Sequence, residues 1–277
     1  MADTSFLDWP FLEPKHKALH AALEAWASDN LRHVDHDNTD QTCQALVAAL
    51  GAAGILKHTG VNATFPQIDV RSLCLIRETL ARHDGLADFA FAMQGLGTMA
   101  ISLFGSDTQK ADWLPKIQSG AALSAFALSE PQSGSDVANL QLSARRDGNG
   151  YVLNGEKTWI SNGGIADVYT VFARTGEAPG GRGISAFIVP ADTPGLQIAE
   201  RLETVSPHPL ARLVFADLHL TADAMIGDPG TGFKVAMATL DTMRTTVGAA
   251  ALGFARRAFD ESLNRAKNRE LFGAPLA

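Results

Sequence analysis

The spacing of apolar residues changes twice along this chain. From Lys15 to about Gly120 apolar residues recur every three or four positions, as Leu73, Ile76 and Leu80 do, which predicts packed helices. The stretch that follows has a period of two, which is typical of strands. From Gly232 to about Asn268 the helical spacing returns.

The middle stretch predicts a series of short strands. Leu140, Leu142 and Ala144 alternate with polar residues, and Gly148-Asn149-Gly150 then supplies a tight turn, so a hairpin is expected. A second turn is predicted at Asn154-Gly155. Further strands are predicted at Val168–Arg174, Ile184–Val189 and Leu213–Leu220.

The last helical stretch carries an apolar stripe that needs a partner to cover it. Without the rest of a bundle the stripe leaves apolar surface in water, so we expect the isolated chain to aggregate or to be completed by another chain. The stripe consists of Phe233, Met237, Leu240, Val247, Ala251, Phe254 and Ala258. Arg244 falls on the same stripe and Asp241 lies one turn earlier, so either a partly buried ion pair or a ligand contact is expected there.

These periods predict an α+β fold with three domains. Residues 1–122 form an all-helical N-terminal domain, residues 123–230 a middle antiparallel β domain, and residues 231–277 the first helix of an incomplete C-terminal helical bundle. The order of helical and strand segments is not the alternating βαβ pattern of a dinucleotide-binding sheet. The GxGxxA sequence pattern at Gly95–Ala100 is therefore interpreted as a site of close helix packing. Ser106 and Gln109 predict a capping box at a new helix start.

Composition excludes several classes of protein. The formal net charge is −7, with both signs mixed along the chain, which disfavours a nucleic-acid partner. The apolar run from Thr245 to Ala255 is too short to span a bilayer, and the start lacks a signal-peptide pattern, so a cytoplasmic protein is expected. Two cysteines, Cys43 and Cys74, and scattered histidines predict neither a disulfide nor a metal site.

Two motifs point to a bound ligand. Phe126-Ala127-Leu128-Ser129-Glu130-Pro131 runs on through Gly134-Ser135-Asp136 and joins an apolar strand to a loop of small and hydroxyl residues, which lets backbone approach a ligand closely. The second motif, Leu153–Gly164, places Trp159 two residues before Ser161, on one face of a strand. Each motif alone could be structural, as a capped turn or a strand with a buried tryptophan.

Together the two motifs resemble the flavin-binding signatures of the acyl-CoA dehydrogenase family, and the resemblance extends from Phe104-Gly105 to Phe272-Gly273. It implies FAD as cofactor and an acyl-CoA thioester as substrate. The implied flavin contacts are Phe126, Leu128, Ser129, Ser135, Trp159, Ile160 and Ser161. Ser135, Asp241, Thr242, Met243 and Arg244 are the implied acyl-CoA contacts. Arg269 and Phe272 match a pattern that reaches the FAD of a neighbouring subunit, which implies a homo-oligomer.

The family's reaction removes the α proton with a carboxylate while hydride leaves Cβ for flavin N5. In most members that Glu lies about a hundred residues beyond the position of Arg269, past Ala277, so the chain resembles a C-terminally truncated member. In others it precedes the arginine that matches Arg244, where this chain has Met243. Asp241 points about 200° away from Met243 around a helix. No catalytic residue is therefore identifiable.

Smaller departures concern the ligand-facing loops. Asn139 and Leu271 replace residues that the family's patterns prefer, and residues 204–210 replace a Gly-x-Arg-x-Ser-x-Thr pattern, which indicates a subfamily with its own substrate. We expect an acyl-CoA dehydrogenase that passes electrons to an electron-transfer flavoprotein. The alternatives are a non-catalytic or partner-completed FAD and acyl-CoA-binding subunit, or a flavin oxidase or monooxygenase on the same fold.

Overall fold

The computed structural model describes residues 3–277. The chain folds as two compact units. Among the described residues, the first comprises 3–34, Asp69–Asp88 and Arg244–Ala277, and the second comprises Asp35–Ile68 and Phe89–Met243. The predicted domain boundaries at residues 122 and 230 stay a prediction.

The first unit is built mainly from helices. Its core includes Leu73, Ile76 and Leu80, whose spacing of three and four places them on one buried face. Buried Arg77 donates two hydrogen bonds to the Asp88 carboxylate, at 2.8 and 2.7 Å. Its elements are α1 (Pro14–Asn30), α3 (Val70–His83), the second part of α6 (Gly232–Asn268), and a hairpin of β9 (Glu270–Leu271) and β10 (Ala274–Pro275).

The second unit contains an eight-stranded sheet covered on one face by helices. Apolar side chains of α4 and α5, such as Ile101 and Ile117, pack against sheet residues such as Phe172 and Ile188. The helices are α2 (Thr39–Ala52), α4 (Gly85–Phe104) from Phe89 onward, α5 (Asp107–Gln118) and the first part of α6. The strands are β1 (Ser124–Ala127), β2 (Ser143–Asp147), β3 (Gly150–Ser161), β4 (Val168–Arg174), β5 (Ile184–Pro190), β6 (Leu196–Arg201), β7 (Leu210–Thr221) and β8 (Met225–Ile226).

The sheet order is β6-β7-β3-β2-β4-β5-β8, with β1 also paired to β4. The pairs are antiparallel, except that β1 and β2 run parallel to β4. The α+β class is confirmed, and so is the hairpin, in which Asp147 pairs with Gly150. The capping box is also confirmed, because Ser106 Oγ accepts from Gln109 N–H and the Gln109 side chain accepts from Ser106 N–H.

The predicted turn at Asn154-Gly155 is wrong. The chain continues through both residues as β3, and the pairing with β7 shifts there by a bulge. Gly155 has a φ of 139°, a conformation that L side chains rarely adopt. Across the bulge Asn154 exchanges two hydrogen bonds with Asp217, of 3.0 and 2.9 Å. Glycine at this position therefore indicates a bulge, and the period of two alone cannot separate it from a turn.

The apolar surface that the sequence predicts on α6 is observed. The buried positions are Val235, Ala236, Thr239, Met243, Thr246 and Ala250. Phe233, Met237 and Leu240 are half-buried, and the stripe is exposed from Val247 onward. Arg244 and Asp241 are exposed too, so the partial burial expected of them is not observed. The most buried face of α6 is therefore formed by residues outside the stripe.

Among residues 3–277, one helix, α4, has the length and composition of a membrane span. Most of α4 is buried within protein, as the core helix of a globular fold is. Glycines allow its close packing, because a Cβ on Gly97 would lie 2.5 Å from Ser124 Oγ and one on Gly95 would lie 2.9 Å from Met243 Cε. The GxGxxA spelling is thus confirmed as helix packing.

Candidate flavin site

The loop after β1 is held from inside by a buried ion pair. Lys157 Nζ on β3 lies 2.8 Å from Glu130 Oε1 and donates to the Leu128 carbonyl at 2.9 Å. Glu130 also accepts hydrogen bonds from the backbone N–H groups of Gln141 and Leu142. Burial lowers the pKa of Lys157 to about 8, although the charge and hydrogen bond of Glu130 oppose the shift. Side chains therefore fix the loop backbone.

Backbone bonds join the two motifs directly. Thr158 N–H donates to the Ser129 carbonyl at 3.0 Å, so the residues after Leu128 lie beside those before Trp159. Farther along the loop, Glu130 and Ser133 exchange two backbone hydrogen bonds. The structure thus brings the two sequence motifs together.

Trp159 has a strained backbone conformation and a solvent-exposed side chain. Its φ is 57°, in the left-handed region that bulky residues rarely occupy, and its side chain is 59% exposed. The strain arises at a second bulge, where the pairing of β3 with β7 shifts between Lys157 and Ile160. A large aromatic held open at a strained position suggests a ligand contact.

The turn after β3 is cross-linked on several sides. Asn162 is buried. Its Nδ2 donates to the Ser124 carbonyl at 3.0 Å, and its backbone N–H donates to the Pro209 carbonyl at 2.9 Å. Its Oδ1 has no hydrogen-bond partner among residues 3–277. Gly164 N–H donates to Tyr169 Oη at 3.1 Å, and burial raises the pKa of Tyr169, which keeps that hydroxyl neutral. These hydrogen bonds therefore fix the position of Ser161, which immediately precedes the turn.

The predicted residues differ in how they could meet a ligand. Ser135 and Trp159 are exposed, and Phe126, Ser129 and Ser161 are half-buried. Leu128 and Ile160 are buried, and Ile160 packs in the sheet core, so these two can meet a ligand only through backbone atoms. Met243 is buried and Thr242 half-buried on α6. Arg269 and Phe272 are exposed, at the end of α6 and in the β9–β10 hairpin.

Comparison with known proteins identifies the family. Its models match in order: the N-terminal domain of acyl-CoA dehydrogenase over residues 13–121, the middle domain over residues 125–218 and the C-terminal domain over residues 230–277. A probable acyl-CoA dehydrogenase of Mycobacterium leprae, fadE25, is 37% identical over 96% of this chain and 70% of its own length. The chain belongs to the acyl-CoA dehydrogenase family.

Solved acyl-CoA dehydrogenases share the fold. Butyryl-CoA dehydrogenase from Megasphaera elsdenii is 31% identical, with a TM-score of 0.85 over 96% of this chain and 72% of that one. A glutaryl-CoA dehydrogenase from Mycobacterium smegmatis, in complex with FADH2, is 29% identical, with a TM-score of 0.86 over 99% of this chain and 70% of that one. FAD is the cofactor of this member of the family.

The described residues fit such a cofactor. The carbonyl of Leu128 faces Lys157, and in a trans peptide the following N–H points the opposite way, so the Ser129 N–H faces outward from the ion pair. An added Cβ on Gly134 would meet no atom within 4 Å, which leaves the loop open beside exposed Ser135. An outward amide, a small-residue loop and an exposed indole suit a planar, polar-edged ring.

Sequence reasoning missed the pair beneath this loop. Glu130 and Lys157 belong to the two motifs, but neither of them is assigned a flavin contact from the sequence. The one general rule that bears on them is that a buried charge needs a partner, but spacing does not show which charged residues are buried. Asn162 was missed for the same reason, since burial of polar side chains cannot be read from spacing.

Proposed function

We propose that this chain catalyses the α,β-dehydrogenation of an acyl-CoA thioester with FAD. The observation that carries the proposal is the Thr158 N–H to Ser129 C=O bond of 3.0 Å, which brings the two flavin motifs together. When bound, FAD supplies the acceptor for the hydride that leaves Cβ of the substrate. The activity accords with the family to which the chain belongs.

Phe126, Leu128 and Ser129 would hold the flavin's polar edge, largely through backbone groups. Outward N–H donors at that edge stabilise negative charge without reorganising when the charge forms. Trp159 would cover the ring, and Ser161 would present its hydroxyl to the reacting edge. The rigid turn at Asn162 and the bulge at Trp159 keep these two side chains in place.

The acyl-CoA would contact Ser135 and the α6 residues Asp241, Thr242, Met243 and Arg244. Ser135 offers an exposed hydroxyl, and exposed Arg244 offers a positive charge for the polar part of the ligand. Met243 cannot accept a proton, so the carboxylate that removes the α proton is not assigned to position 243.

Arg269 and Phe272 suggest a homo-oligomer, in which each would reach the FAD of a neighbouring subunit. Phe272 is fully exposed in the single chain, as that role requires. We propose an electron-transfer flavoprotein as electron acceptor and a cytoplasmic location.

The test is anaerobic mixing of the FAD-loaded protein with a panel of straight and branched acyl-CoAs while the flavin absorbance is followed. Bleaching of the long-wavelength band by at least one acyl-CoA is expected. An acyl-CoA that binds, shown by calorimetry, without bleaching would contradict the proposal. Mixing in the presence of air then separates an oxidase, which would turn over with oxygen alone.

One observation favours a second function. Position 243, where some relatives place the base, holds a buried thioether packed on Gly95. A partner-completed subunit that binds FAD and acyl-CoA would not need a base there. Binding without bleaching in the experiment above, followed by bleaching when a second family subunit is added, is the outcome that this function predicts.

A further inference from the structure

The Lys157–Glu130 pair differs from ordinary ion pairs of this protein in its burial. Lys157 is wholly buried, and the Glu130 side chain is nearly so. Removing two charges from water is costly, and apolar replacements of such pairs are often neutral or stabilising. Stability alone therefore does not explain why two charges occupy this position.

The partners of the pair offer another explanation. Apart from each other, the two side chains bond only backbone groups among the contacts observed: the Leu128 carbonyl and the N–H groups of Gln141 and Leu142. One partner belongs to the loop after β1, the other two precede β2, and Lys157 itself lies on β3. The pair is a clamp on three backbone segments that meet at the flavin motifs.

The clamp also determines an orientation. A peptide unit is planar, and its C=O and N–H point in opposite directions when it is trans, as every described peptide here is. The Leu128 carbonyl is fixed toward Lys157 Nζ at 2.9 Å. Ser129 N–H must then point away from Lys157. The next peptide is fixed as well, because the Ser129 carbonyl accepts from Thr158 N–H.

We propose that Lys157 is a positioning residue of the flavin site, whose ammonium group, held by Glu130, orients the Leu128–Ser129 peptide so that the Ser129 N–H faces the bound flavin. The inference rests on the proposed function, which places the flavin edge at Ser129. Without the ammonium group the Leu128 carbonyl would be a buried acceptor with no charged donor, and the peptide could rotate.

The redox state of the flavin gives this role a specific signature. Reduced flavin carries negative charge at the edge that backbone donors face, so a fixed donor favours the reduced form over the oxidised form. Loss of the clamp should weaken binding of reduced FAD more than binding of oxidised FAD. A general loss of folding stability would weaken both equally.

The experiment compares Lys157→Met with wild type, using Phe215→Leu as the matched control. Phe215 is also buried in the sheet core of the same unit, on β7, so its truncation perturbs packing without removing a charge. The dissociation constant of FAD is measured by titrating apoprotein, and the two-electron midpoint potential by anaerobic reduction against a reference dye. Neither measurement requires acyl-CoA.

We expect Lys157→Met to weaken FAD binding at least tenfold and to lose ten times more affinity for reduced than for oxidised FAD. That extra factor corresponds to a potential about 30 mV more negative. Phe215→Leu should keep the wild-type potential. Unchanged affinity and potential in folded Lys157→Met would overturn the inference.

A second variant covers the case in which Lys157→Met does not fold. Glu130→Gln has the same shape, but its amide NH2 would face the Gln141 N–H, two donors together, so the clamp loosens without loss of volume. Its potential should move in the same direction. A folded Glu130→Gln with wild-type FAD affinity and potential also overturns the inference. Wild-type protein that takes up no FAD would instead remove the proposed function.

Discussion

At the scale of single residues, the left-handed backbone conformation of Trp159 leads to a testable prediction about the stability of two variants. Its φ of 57° costs a residue with a Cβ about 1 kcal/mol, a cost that glycine avoids. We expect Trp159→Gly to be more stable than Trp159→Ala by about 1 kcal/mol. Urea unfolding of the two apoproteins measures the difference.

The neighbouring residue provides the control. Thr158 belongs to the same strand and has no positive φ, so Thr158→Gly should be less stable than Thr158→Ala. If alanine is favoured at both positions, the left-handed conformation of Trp159 is not the conformation in solution.

The lowered pKa of Lys157 predicts that the free energy of unfolding depends on pH. Burial lowers its pKa from 10.5 to about 8 in the folded state, against the opposing effect of Glu130. Below pH 8 both folded and unfolded states hold the proton, and between pH 8 and 10.5 only the unfolded state holds it. Wild type should therefore gain free energy of unfolding relative to Lys157→Met as pH rises through this window, by up to about 3 kcal/mol.

The comparison is made by chemical denaturation at pH 7, 8, 9 and 10. Lys157→Met keeps the titrating groups that do not contact Lys157, including Tyr169, so their contributions cancel in the difference between the two proteins. A difference that stays constant from pH 7 to 10 would mean that the folded-state pKa is not lowered.

At the scale of elements, the packing of α4 on β1 depends on Gly97. A Cβ there would lie 2.5 Å from Ser124 Oγ and 2.9 Å from the Ala125 nitrogen, closer than atoms can approach. We expect Gly97→Ala to destabilise the protein by about 1–3 kcal/mol despite alanine's better helix propensity. Thermal unfolding measures the change.

Gly248 on α6 is the matched control, since an added Cβ would meet nothing within 4 Å. Gly248→Ala should stabilise the protein by about 0.5–1 kcal/mol, because only helix propensity changes. A stabilising Gly97→Ala would show that α4 does not approach β1 closely.

The elements also show what spacing can and cannot predict. Strand β4 was predicted with its bounds, since Val168–Arg174 is an uninterrupted apolar and β-branched run. Edge strand β6 was missed, because its side chains are largely exposed and carry little apolar signal. The flavin motifs were found from residue types, but the clamp beneath them was not. The tertiary structure decides which backbone groups a buried lysine contacts, and the spacing of apolar residues along the sequence does not encode those contacts.

At the scale of the whole molecule, the apolar residues exposed on α6 predict self-association. Val247, Phe254 and Phe259 are 57%, 48% and 67% exposed, and they follow one another along the same helix. Large apolar side chains exposed on one helix favour association with a second copy, although the net charge of −7 opposes it. We expect the purified 277-residue chain to elute above its monomer mass and to bind a hydrophobic dye.

Substitution of these three residues by serine should reduce both dye binding and apparent mass, because it removes apolar surface without touching the buried face of α6. The control replaces three exposed polar residues of the same helix, Thr245, Glu261 and Asn264, by serine and should change neither property. A wild-type chain that is monomeric and binds no dye would contradict the prediction that the exposed apolar residues of α6 cause self-association. Association that persists in the triple apolar variant would place the contact elsewhere, for example at exposed Phe272.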